Sequence, residues 1–434
     1  MAPLRVGLLG LGTVGGATAE VLRRNREEIR RRAGREIVLA CACVRDPGRK
    51  RPVATDGIEL VADSRAVVAA REIDVVVELM GGLSPARQWV LEALEHGKHV
   101  VTANKALIAL HGDEIFAAAR RRGVVVAFEA AVAGGIPIVK AIREGLAGNR
   151  IASLAGIING TTNYILSAMG ESRGGFADIL AEAQRLGYAE ADPRFDIEGT
   201  DAAHKLTILA AIAFGIPLRF DRVYREGIEG IAAEDIAYAR ELGYCVKHLG
   251  IARRSPEGIE LRVHPALVPR SHLLSGVCGA MNAVFLHGDA LGANAYYGPG
   301  AGGAPTASAV VADLVDISRM MGGAPERQVP YLAFEPLEDI PVLDMERATT
   351  AYYLRLQAED RPGVLSQVAG ILGEFQISIE AVLQKEPASS AARVPVILLT
   401  QQVLEGRMDR ALAKIRRLDA VSGDIARIRL ETLA

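Results

Sequence analysis

Residues 4–16 read LRVGLLGLGTVGG, and this stretch decides the fold of the first part of the chain. A short apolar run, typical of a buried strand, is followed by three glycines at GxGxxG spacing, after which an alanine-rich helical pattern begins. Such glycines permit a tight strand-to-helix turn and the close approach of a pyrophosphate to the helix start. The stretch therefore predicts a Rossmann-type dinucleotide-binding unit. Its binding residues would be Gly10, Gly12, Thr13, Val14 and Gly15.

Two further apolar runs, at 73–79 and 99–102, each end in a polar or glycine-rich loop that enters a helix. This alternation predicts a doubly wound parallel sheet, whose ligands bind beyond the carboxyl ends of the strands. Lys105 follows one of these ends. A lysine at a helix start opposes the helix dipole, which indicates a function for Lys105 beside the cofactor.

The strand predicted at 37–44 ends in Arg45 and Asp46. A carboxylate at this point suits the ribose 2′-hydroxyl of NAD, whereas an arginine suits the 2′-phosphate of NADP. Arg45 favours NADP, and Asp46 keeps NAD open as the alternative.

A second informative stretch, residues 183–205, reads AQRLGYAEADPRFDIEGTDAAHK and places five carboxylates in the twelve positions 190–201. The glycines and proline before Thr200 and the apolar pattern after it predict a loop that becomes a helix, with Thr200 as the N-cap. Asp201 and Lys205 then lie one helical turn apart on one face. A carboxylate beside a partly buried ammonium orients it for proton transfer. The alternative is a solvated acidic loop followed by an ordinary surface ion pair.

The segment 157–164, IINGTTNY, predicts a strand, a turn and a capped helix. Amides and hydroxyls at such a helix start suit a carboxylate, which we place near Gly160 and Thr161. If that carboxylate belongs to an amino acid, Glu190 and Asp196 are the residues that would hold its ammonium group.

The region 259–283 alternates apolar and polar residues, which predicts strands of a mixed sheet that forms much of a dimer interface. His264 and His272 lack a repeating ligand spacing and are interpreted as core or rim residues. A second glycine-rich helix start, GPGAGGAPT at 298–306, is expected to pack back on the nucleotide domain, with Gly302 contacting the cofactor. The proline-rich residues 322–350 indicate a linker.

Residues 352–430 show a βαββα pattern with a DRPGVL turn at 360–365. The pattern resembles an ACT domain, which implies a ferredoxin-like fold that binds amino acids.

The composition excludes several classes of protein. Of 434 residues, 50% are hydrophobic and 24% charged, and the net charge is −2, so no basic face for nucleic acid is indicated. The arginine-rich run at 23–35 contains two glutamates, which predicts the solvent-exposed end of a surface helix. No apolar run is long enough for a membrane helix, and no secretion signal is visible. The four cysteines have no metal-ligand spacing, so we expect a reduced, cytoplasmic setting.

The acidic stretch also carries a family resemblance: Ala183, Gly187-Tyr188, Asp192-Pro193, Asp196-Ile197, Gly199, Asp201 and Lys205 resemble the signature of homoserine dehydrogenases. The resemblance implies reversible reduction of L-aspartate 4-semialdehyde to L-homoserine, in threonine, methionine and isoleucine biosynthesis. Lys205, held by Asp201, would transfer the proton, and Lys105 would orient the reacting oxygen. The resemblance also implies a monovalent cation such as Na⁺ bound by Glu129, Val132, Gly134 and Ile136. A glycine-rich crossover is the alternative there.

The predicted architecture is α/β with three domains. They are a Rossmann-type nucleotide domain at 1–135 completed by about 300–325, an α+β catalytic and dimerisation domain with a mixed sheet at 136–300, and, after a linker at 326–349, an ACT domain at 350–434. We expect a homodimer or homotetramer that is regulated by an amino acid, with threonine as the first hypothesis.

Two rival functions remain open. An aldehyde-oxidising dehydrogenase that forms a thioester would need an activated cysteine, for which only Cys278 is available, and Cys278 is expected to be a small buried residue. A catalytically silent amino-acid sensor on a dehydrogenase fold is the other.

Overall fold

The structure is a computed structural model, and it describes residues 2–172, 174–321, 329–385 and 393–433. The elements of the first part are β1 (Leu4–Leu9), α1 (Thr13–Arg24), α2 (Arg26–Ala33), β2 (Ile37–Cys43), β3 (Glu59–Val61), α3 (Arg65–Val68), β4 (Val75–Glu78), α4 (Ala86–Glu95), β5 (His99–Thr102), α5 (Lys105–Arg122), β6 (Val126–Ala127), α6 (Ile138–Lys140) and β7 (Ile151–Ile157). The middle part comprises α7 (Gly160–Ser172), α8 (Phe176–Arg185), α9 (Arg194–Ile197), α10 (Thr200–Phe214), β8 (Tyr224–Arg225), α11 (Ala233–Glu241), β9 (Tyr244–Ser255), β10 (Gly258–Pro269), β11 (Met281–Gly288), β12 (Gly292–Pro299) and α12 (Gly303–Met320). The last part comprises β13 (Thr349–Glu359), α13 (Val364–Glu374), β14 (Ile379–Gln384), β15 (Arg393–Thr400), β16 (Val403–Leu404), α14 (Glu405–Ile415) and β17 (Val421–Leu430).

The chain divides into two compact units, each assembled from three segments. The first unit contains Met1–Leu154, Ala203–Asp221 and Met281–Ile340. The second contains Ala155–Ala202, Arg222–Ala280 and Pro341–Ala434.

The first unit is built on a six-stranded parallel sheet in the order β3-β2-β1-β4-β5-β6. Its central strands read as continuous apolar runs because a parallel sheet is covered on both faces, and Val75, Val76 and Val77 of β4 are fully buried. Helix α12 packs against α1 and adds its apolar face to the same core as β1. The Rossmann-type fold predicted from the sequence is confirmed.

The last strand of this sheet is short: β6 spans only Val126–Ala127, and a 3-10 turn, Glu129–Ala131, follows it. The Glu129 carboxylate accepts the backbone N–H groups of Val139 at 2.9 Å and Lys140 at 2.8 Å and so caps the start of the next helix.

The sheet of the second unit is mixed, as predicted. Its strands lie in the order β9-β10-β17-β13-β15-β14, and all neighbours are antiparallel except β10 and β17, which are parallel. The four strands β17, β13, β15 and β14 with α13 and α14 form the predicted ACT fold.

Strand β13 shows that this ACT sheet is covered on both faces. Tyr352, Leu354 and Leu356 pack with α13 and α14. Tyr353 points the other way and joins a core formed by apolar residues of α7, α8 and α11. The C-terminal segment is therefore integrated into the second unit.

Several smaller expectations can now be compared with the structure. The arginine-rich run lies on exposed parts of α1 and α2 and pairs with neighbouring glutamates, as predicted. His264 is buried and His272 half-buried, which confirms the core and rim interpretation. The interpretation of Cys278 as a buried residue is wrong, because it lies exposed on the short segment after the 3-10 turn Leu273–Gly276.

Among the described residues, no helix is long and apolar enough to cross a membrane. Part of the linker predicted at 326–349 falls outside the described residues. Tyr331, within that range, is buried and donates its hydroxyl proton to the Val124 carbonyl at 2.7 Å.

Candidate active site

The glycine-rich turn has the geometry of a phosphate cradle. Helix α1 begins at Thr13, and its first turn contains no acidic residue. Gly10 has φ +103°, and a Cβ atom at Gly15 would lie 2.2 Å from the Gly10 carbonyl oxygen. Since no side chain fits at these positions, the turn keeps the helix amides accessible to an anion.

The glycine-rich loop at 298–306 leads into α12, and the start of α12 lies next to the same turn. Gly302 is its N-cap residue, with φ +115°. A Cβ atom at Gly303 would lie 3.1 Å from the Thr13 carbonyl oxygen, so the two helix starts touch. The structure thus brings Gly302 and Gly303 next to the first-turn residues of α1.

In the loop after β2, the two side chains that bear on cofactor choice, Arg45 and Asp46, differ in their contacts. Asp46 accepts the backbone N–H of Gly48 at 2.9 Å, and so its carboxylate is engaged inside its own loop. Arg45 is exposed and has no hydrogen-bond or ion-pair partner within the described part of the chain.

A network that the sequence did not reveal lies at the carboxyl ends of β4 and β5, at the turn before Lys105. The fully buried Glu78 accepts the hydroxyl proton of Thr102 at 2.6 Å and the backbone N–H of Met80 at 2.8 Å. Asn104 caps α5 by accepting the Leu107 N–H at 3.1 Å and donates to the Gly82 carbonyl at 2.6 Å. Lys105 is the first residue of α5 after this capped turn and is half-buried.

Asp201 and Lys205 lie one turn apart on α10, which is buried along nearly its whole length. Asp201 is 3% exposed and Lys205 is 8% exposed. The helix begins at Thr200 itself, one residue earlier than the N-cap prediction. Burial of both groups excludes the alternative of a solvated surface ion pair.

Asn159, at the end of the β7–α7 turn, joins two of the predicted carboxylates. Its Nδ2 group donates to Asp196 Oδ1 at 2.7 Å and to Asp201 Oδ2 at 2.8 Å. The spacing of this asparagine from the predicted helix start is an N-cap signal that could have identified it.

Two other carboxylates of the acidic stretch are exposed to solvent. Glu190 is exposed. Asp192 is exposed and forms an ion pair with Arg194 at 2.6 Å, and this hydrogen-bonded arginine lowers the pKa of Asp192 to about 2.

The predicted carboxylate site lies at the start of α7. Gly160 is the first residue of this helix, and a Cβ atom there would lie 2.8 Å from the Ala280 carbonyl oxygen. The Thr161 hydroxyl donates to the Tyr188 carbonyl at 2.7 Å. The hydroxyl oxygen of Thr161 can still accept, while its proton is already used.

The predicted cation loop surrounds a buried carboxylate. Glu129 is 2% exposed, and Val132 and Ile136 are also buried. Burial, and then the nearby Asp313 carboxylate, raise the pKa of Glu129 to about 7. No cluster of three or more His, Cys, Asp or Glu residues suited to a metal occurs among the described residues, so any cation here would depend on backbone carbonyls.

Comparison with known proteins matches the whole chain. The family model described as homoserine dehydrogenase matches residues 137–315, the one described as homoserine dehydrogenase, NAD binding domain, matches 10–129, and the ACT domain model matches 352–417. The homoserine dehydrogenases of Pseudomonas aeruginosa and Neisseria gonorrhoeae are 59% and 52% identical to this chain, and each alignment covers 100% of both proteins.

Solved structures agree. The crystal structure of a homoserine dehydrogenase from Thiobacillus denitrificans is 60% identical, with a TM-score of 0.95 over 100% of this chain and 99% of that one. A hyperthermophilic archaeal homoserine dehydrogenase in complex with NADPH is 26% identical, with a TM-score of 0.62 over 74% of this chain and 100% of that one. This chain therefore belongs to the homoserine dehydrogenase family of oxidoreductases.

Proposed function

We propose that this chain catalyses the reversible interconversion of L-aspartate 4-semialdehyde and L-homoserine in threonine, methionine and isoleucine biosynthesis, with NADP as the preferred cofactor. The observation that carries the proposal is the pair of Asp201 and Lys205, one turn apart and almost fully buried on α10. Full-length relatives that are homoserine dehydrogenases support the same reaction.

In this proposal Lys205 gives a proton to the aldehyde oxygen during reduction and removes it during oxidation. Asp201 keeps the amine in place, and Lys105 stabilises the charge that develops on the oxygen. The nicotinamide, when bound, supplies or accepts the hydride. The burial of Lys205 suits this task because it keeps bulk water away from the transferred proton.

The substrate's two charged ends require opposite surroundings. We assign the α-carboxylate to the start of α7 at Gly160 and Thr161, where the helix N-terminus favours an anion. The backbone amides would bind it, since the Thr161 hydroxyl proton is already donated to the Tyr188 carbonyl. We assign the ammonium to Asp196, which Asn159 orients, and to the exposed Glu190.

The decisive experiment compares Lys205→Ala with Lys98→Ala in a homoserine oxidation assay with NADP. Lys205→Ala should lose about 10²–10⁴ in turnover and still bind NADPH, since a proton-transfer group of this kind supplies that factor. Lys98 is a matched control, because it is similarly buried, at 7% exposed, and its amine donates to the Ala70 and Ile73 carbonyls. Near-normal turnover of Lys205→Ala would refute the assignment. Absence of turnover in the unmodified chain would favour the silent sensor instead.

NADP preference is supported by Arg45. Its side chain is exposed two residues after the end of β2, while the Asp46 carboxylate accepts the Gly48 N–H. A family member crystallised with NADPH adds support. The cofactor-binding residues we propose are those of the two helix starts, with Arg45 and Lys105.

A monovalent cation such as Na⁺ is proposed at Glu129, with carbonyl oxygens of Val132, Gly134 and Ile136. Support comes from the burial of the carboxylate and from its spare acceptor capacity, since each oxygen accepts one backbone N–H and has a second lone pair. The cation would hold the loop in shape, and no chemical step is assigned to it.

Regulation by an amino acid, with threonine as the first candidate, is proposed for the ACT domain. A cavity of about 410 Å³ in the second unit supports it. Apolar side chains and charged side chains of both signs line this cavity, and a zwitterionic amino acid requires both charges. The charged lining residues are Glu226, Arg355, Asp409, Arg416, Asp424 and Arg427. Titration of threonine into the assay tests the proposal, and an unchanged rate at saturating threonine would count against it.

The proposal also includes the domain boundaries given above, assembly as a homodimer or homotetramer, and a cytoplasmic setting. The cysteine pattern supports that setting, because all four cysteines are free thiols. Sedimentation analysis measures the assembly state.

A further inference from the structure

Asn159 has a single possible amide orientation in this structure. It is 4% exposed, and its Oδ1 accepts the backbone N–H of Thr162 at 2.8 Å. Because the oxygen is fixed by that donor, the NH₂ group must face the two carboxylates of Asp196 and Asp201. Both amide protons are then donated, at 2.7 and 2.8 Å.

This arrangement brings two carboxylates to one neutral nitrogen. The Asn159 amide supplies one donor to each carboxylate. Both carboxylates are therefore held within hydrogen-bond distance of the same nitrogen, which sets their separation.

A second set of contacts, centred on His248, holds the neighbouring Thr162 and the acidic stretch. His248 lies with Nδ1 at 3.4 Å from the Thr162 hydroxyl and donates from Nε2 to the Glu226 carbonyl at 3.0 Å. Gly199, in the acidic stretch, has φ +83°, and a Cβ atom there would lie 3.2 Å from His248 Cε1. The acidic loop, the start of α7 and β9 are thus packed around one buried ring.

We propose that Asn159 is a positioning residue that sets the distance between the carboxylate that holds the substrate ammonium and the carboxylate that holds the proton-transfer lysine. The inference rests on the proposed function, since it uses the roles given there to Asp196 and Asp201. It adds a requirement for a neutral, two-proton donor at position 159.

Asn159→Asp separates this role from helix capping. An aspartate is as good an N-cap as asparagine, so the start of α7 keeps its acceptor. Both donors are lost, and a third carboxylate joins the pair. We expect turnover to fall by about 10²-fold, which is the lower end of the loss expected when a proton-transfer group is removed. NADPH binding, measured by fluorescence titration, should be unchanged.

The pH profile distinguishes positioning from a general structural defect. When the carboxyl group introduced by Asn159→Asp is protonated, it can again donate one hydrogen bond, and so the ratio of variant to unmodified turnover should rise as the pH is lowered. Asn159→Ser, which keeps a cap oxygen and cannot titrate, should show a loss without that rise. The charged groups near this position are Asp196, Asp201 and, one turn later, Lys205. His248 stays neutral in the assay because burial lowers its pKa to about 4.

Asn163→Asp is the matched control. Asn163 lies on the same helix, is fully buried, and donates to the Val277 and Gly279 carbonyls. Its variant should lose stability in urea unfolding but keep its turnover per folded molecule within about tenfold of normal, because the Asn163 amide donates to two carbonyls and not to the carboxylate pair. Asn159→Asp turnover within about twofold of normal, or a flat ratio, overturns the inference. Asp201→Asn in the same assay tests the proposed function separately, since normal turnover there would refute that function rather than the role of Asn159.

Discussion

At the scale of single residues, the choice of cofactor depends on which side chain at the end of β2 is available. Asp46 is committed to the Gly48 amide, and Arg51 donates to the Asp46 carbonyl at 2.5 Å, so this loop is organised around its own backbone. Arg45 is exposed and has no hydrogen-bond or ion-pair partner among the described residues, so its guanidinium is available to a ligand.

Arg45→Ala should therefore weaken the use of NADPH more than that of NADH. A charge-assisted hydrogen bond contributes about 1.5–3 kcal/mol, so kcat/KM for NADPH should fall by roughly 10- to 100-fold while the NADH value changes little. Arg49→Ala, on the exposed part of the same loop, is the control and should leave the ratio unchanged. Equal losses with both cofactors would show that Arg45 does not contact the 2′-phosphate.

The sequence was informative where chemistry is encoded by local spacing. Asp201 and Lys205 were found because four positions make one helical turn. Glu78 and Asn159 were missed because their partners, such as Thr102 and Asp201, are distant in the chain and meet only through tertiary structure. Cys278 was misjudged because composition does not report which side of a short turn faces solvent.

At the scale of elements, the loop after β6 is held to α6 and α12 through buried charges. The Glu129 backbone N–H donates to Asp313 at 2.9 Å, and Lys140 pairs with Asp313 at 3.3 Å. Burial raises the pKa of Asp313 to about 6, in the same direction as that of Glu129.

These two raised values predict how stability depends on pH. The folded state binds both protons more tightly than the unfolded chain, so this contribution to the free energy of unfolding is fully present below the unfolded pKa of 4.5 for Glu129 and is lost as the pH rises through about 7. Glu129→Gln should reduce the change in the free energy of unfolding across that pH window by about 3 kcal/mol, as measured by urea unfolding at a series of pH values. An identical slope in the variant would mean that Glu129 is not protonated in this range. Na⁺ should reduce the slope in the unmodified chain if a cation binds there.

A second set of buried charges ties β17 and α14 to the segment that follows β8. Arg429 is fully buried and pairs with Glu226 at 2.6 Å, with Glu405, and with the Tyr224 hydroxyl at 3.1 Å. Glu405 is 2% exposed and also accepts the Tyr352 hydroxyl proton at 2.6 Å.

Arg429→Ala should destabilise the fold by about 3–5 kcal/mol, because it leaves the buried Glu405 carboxylate without its main cation. Lys414→Ala is the control within the same domain. Lys414 pairs with Glu374, and the two side chains are 49% and 58% exposed, so its loss should cost no more than about 1 kcal/mol. Similar effects of the two variants on urea unfolding would contradict the assigned difference.

At the scale of the whole molecule, the sequence predicted the order of its parts and not how the last part is attached. The βαββα pattern identified the ACT fold because its strands and helices alternate locally. The parallel pairing of β17 with β10, through Ala266 with Arg429 and Leu267 with Leu430, joins strands far apart in the chain and leaves no local signal. A linker followed by a separate domain was the simpler interpretation of residues 322–350.

This attachment predicts that the chain cannot be shortened to its catalytic part without penalty. Ending the chain before Thr349 removes β17 from β10 and uncovers a core that now includes Leu267, Val246 and residues of α7 and α11.

The truncated chain should therefore aggregate or unfold at a markedly lower temperature, since apolar surface that loses its cover costs about 25 cal/mol per Å². Coexpression with the separate fragment 349–434 should restore solubility if lost burial is the cause. Thermal unfolding of the full chain should also show the ACT domain melting together with the rest of the second unit. A soluble truncated chain with an unchanged melting temperature would show that the C-terminal domain is an independent appendage.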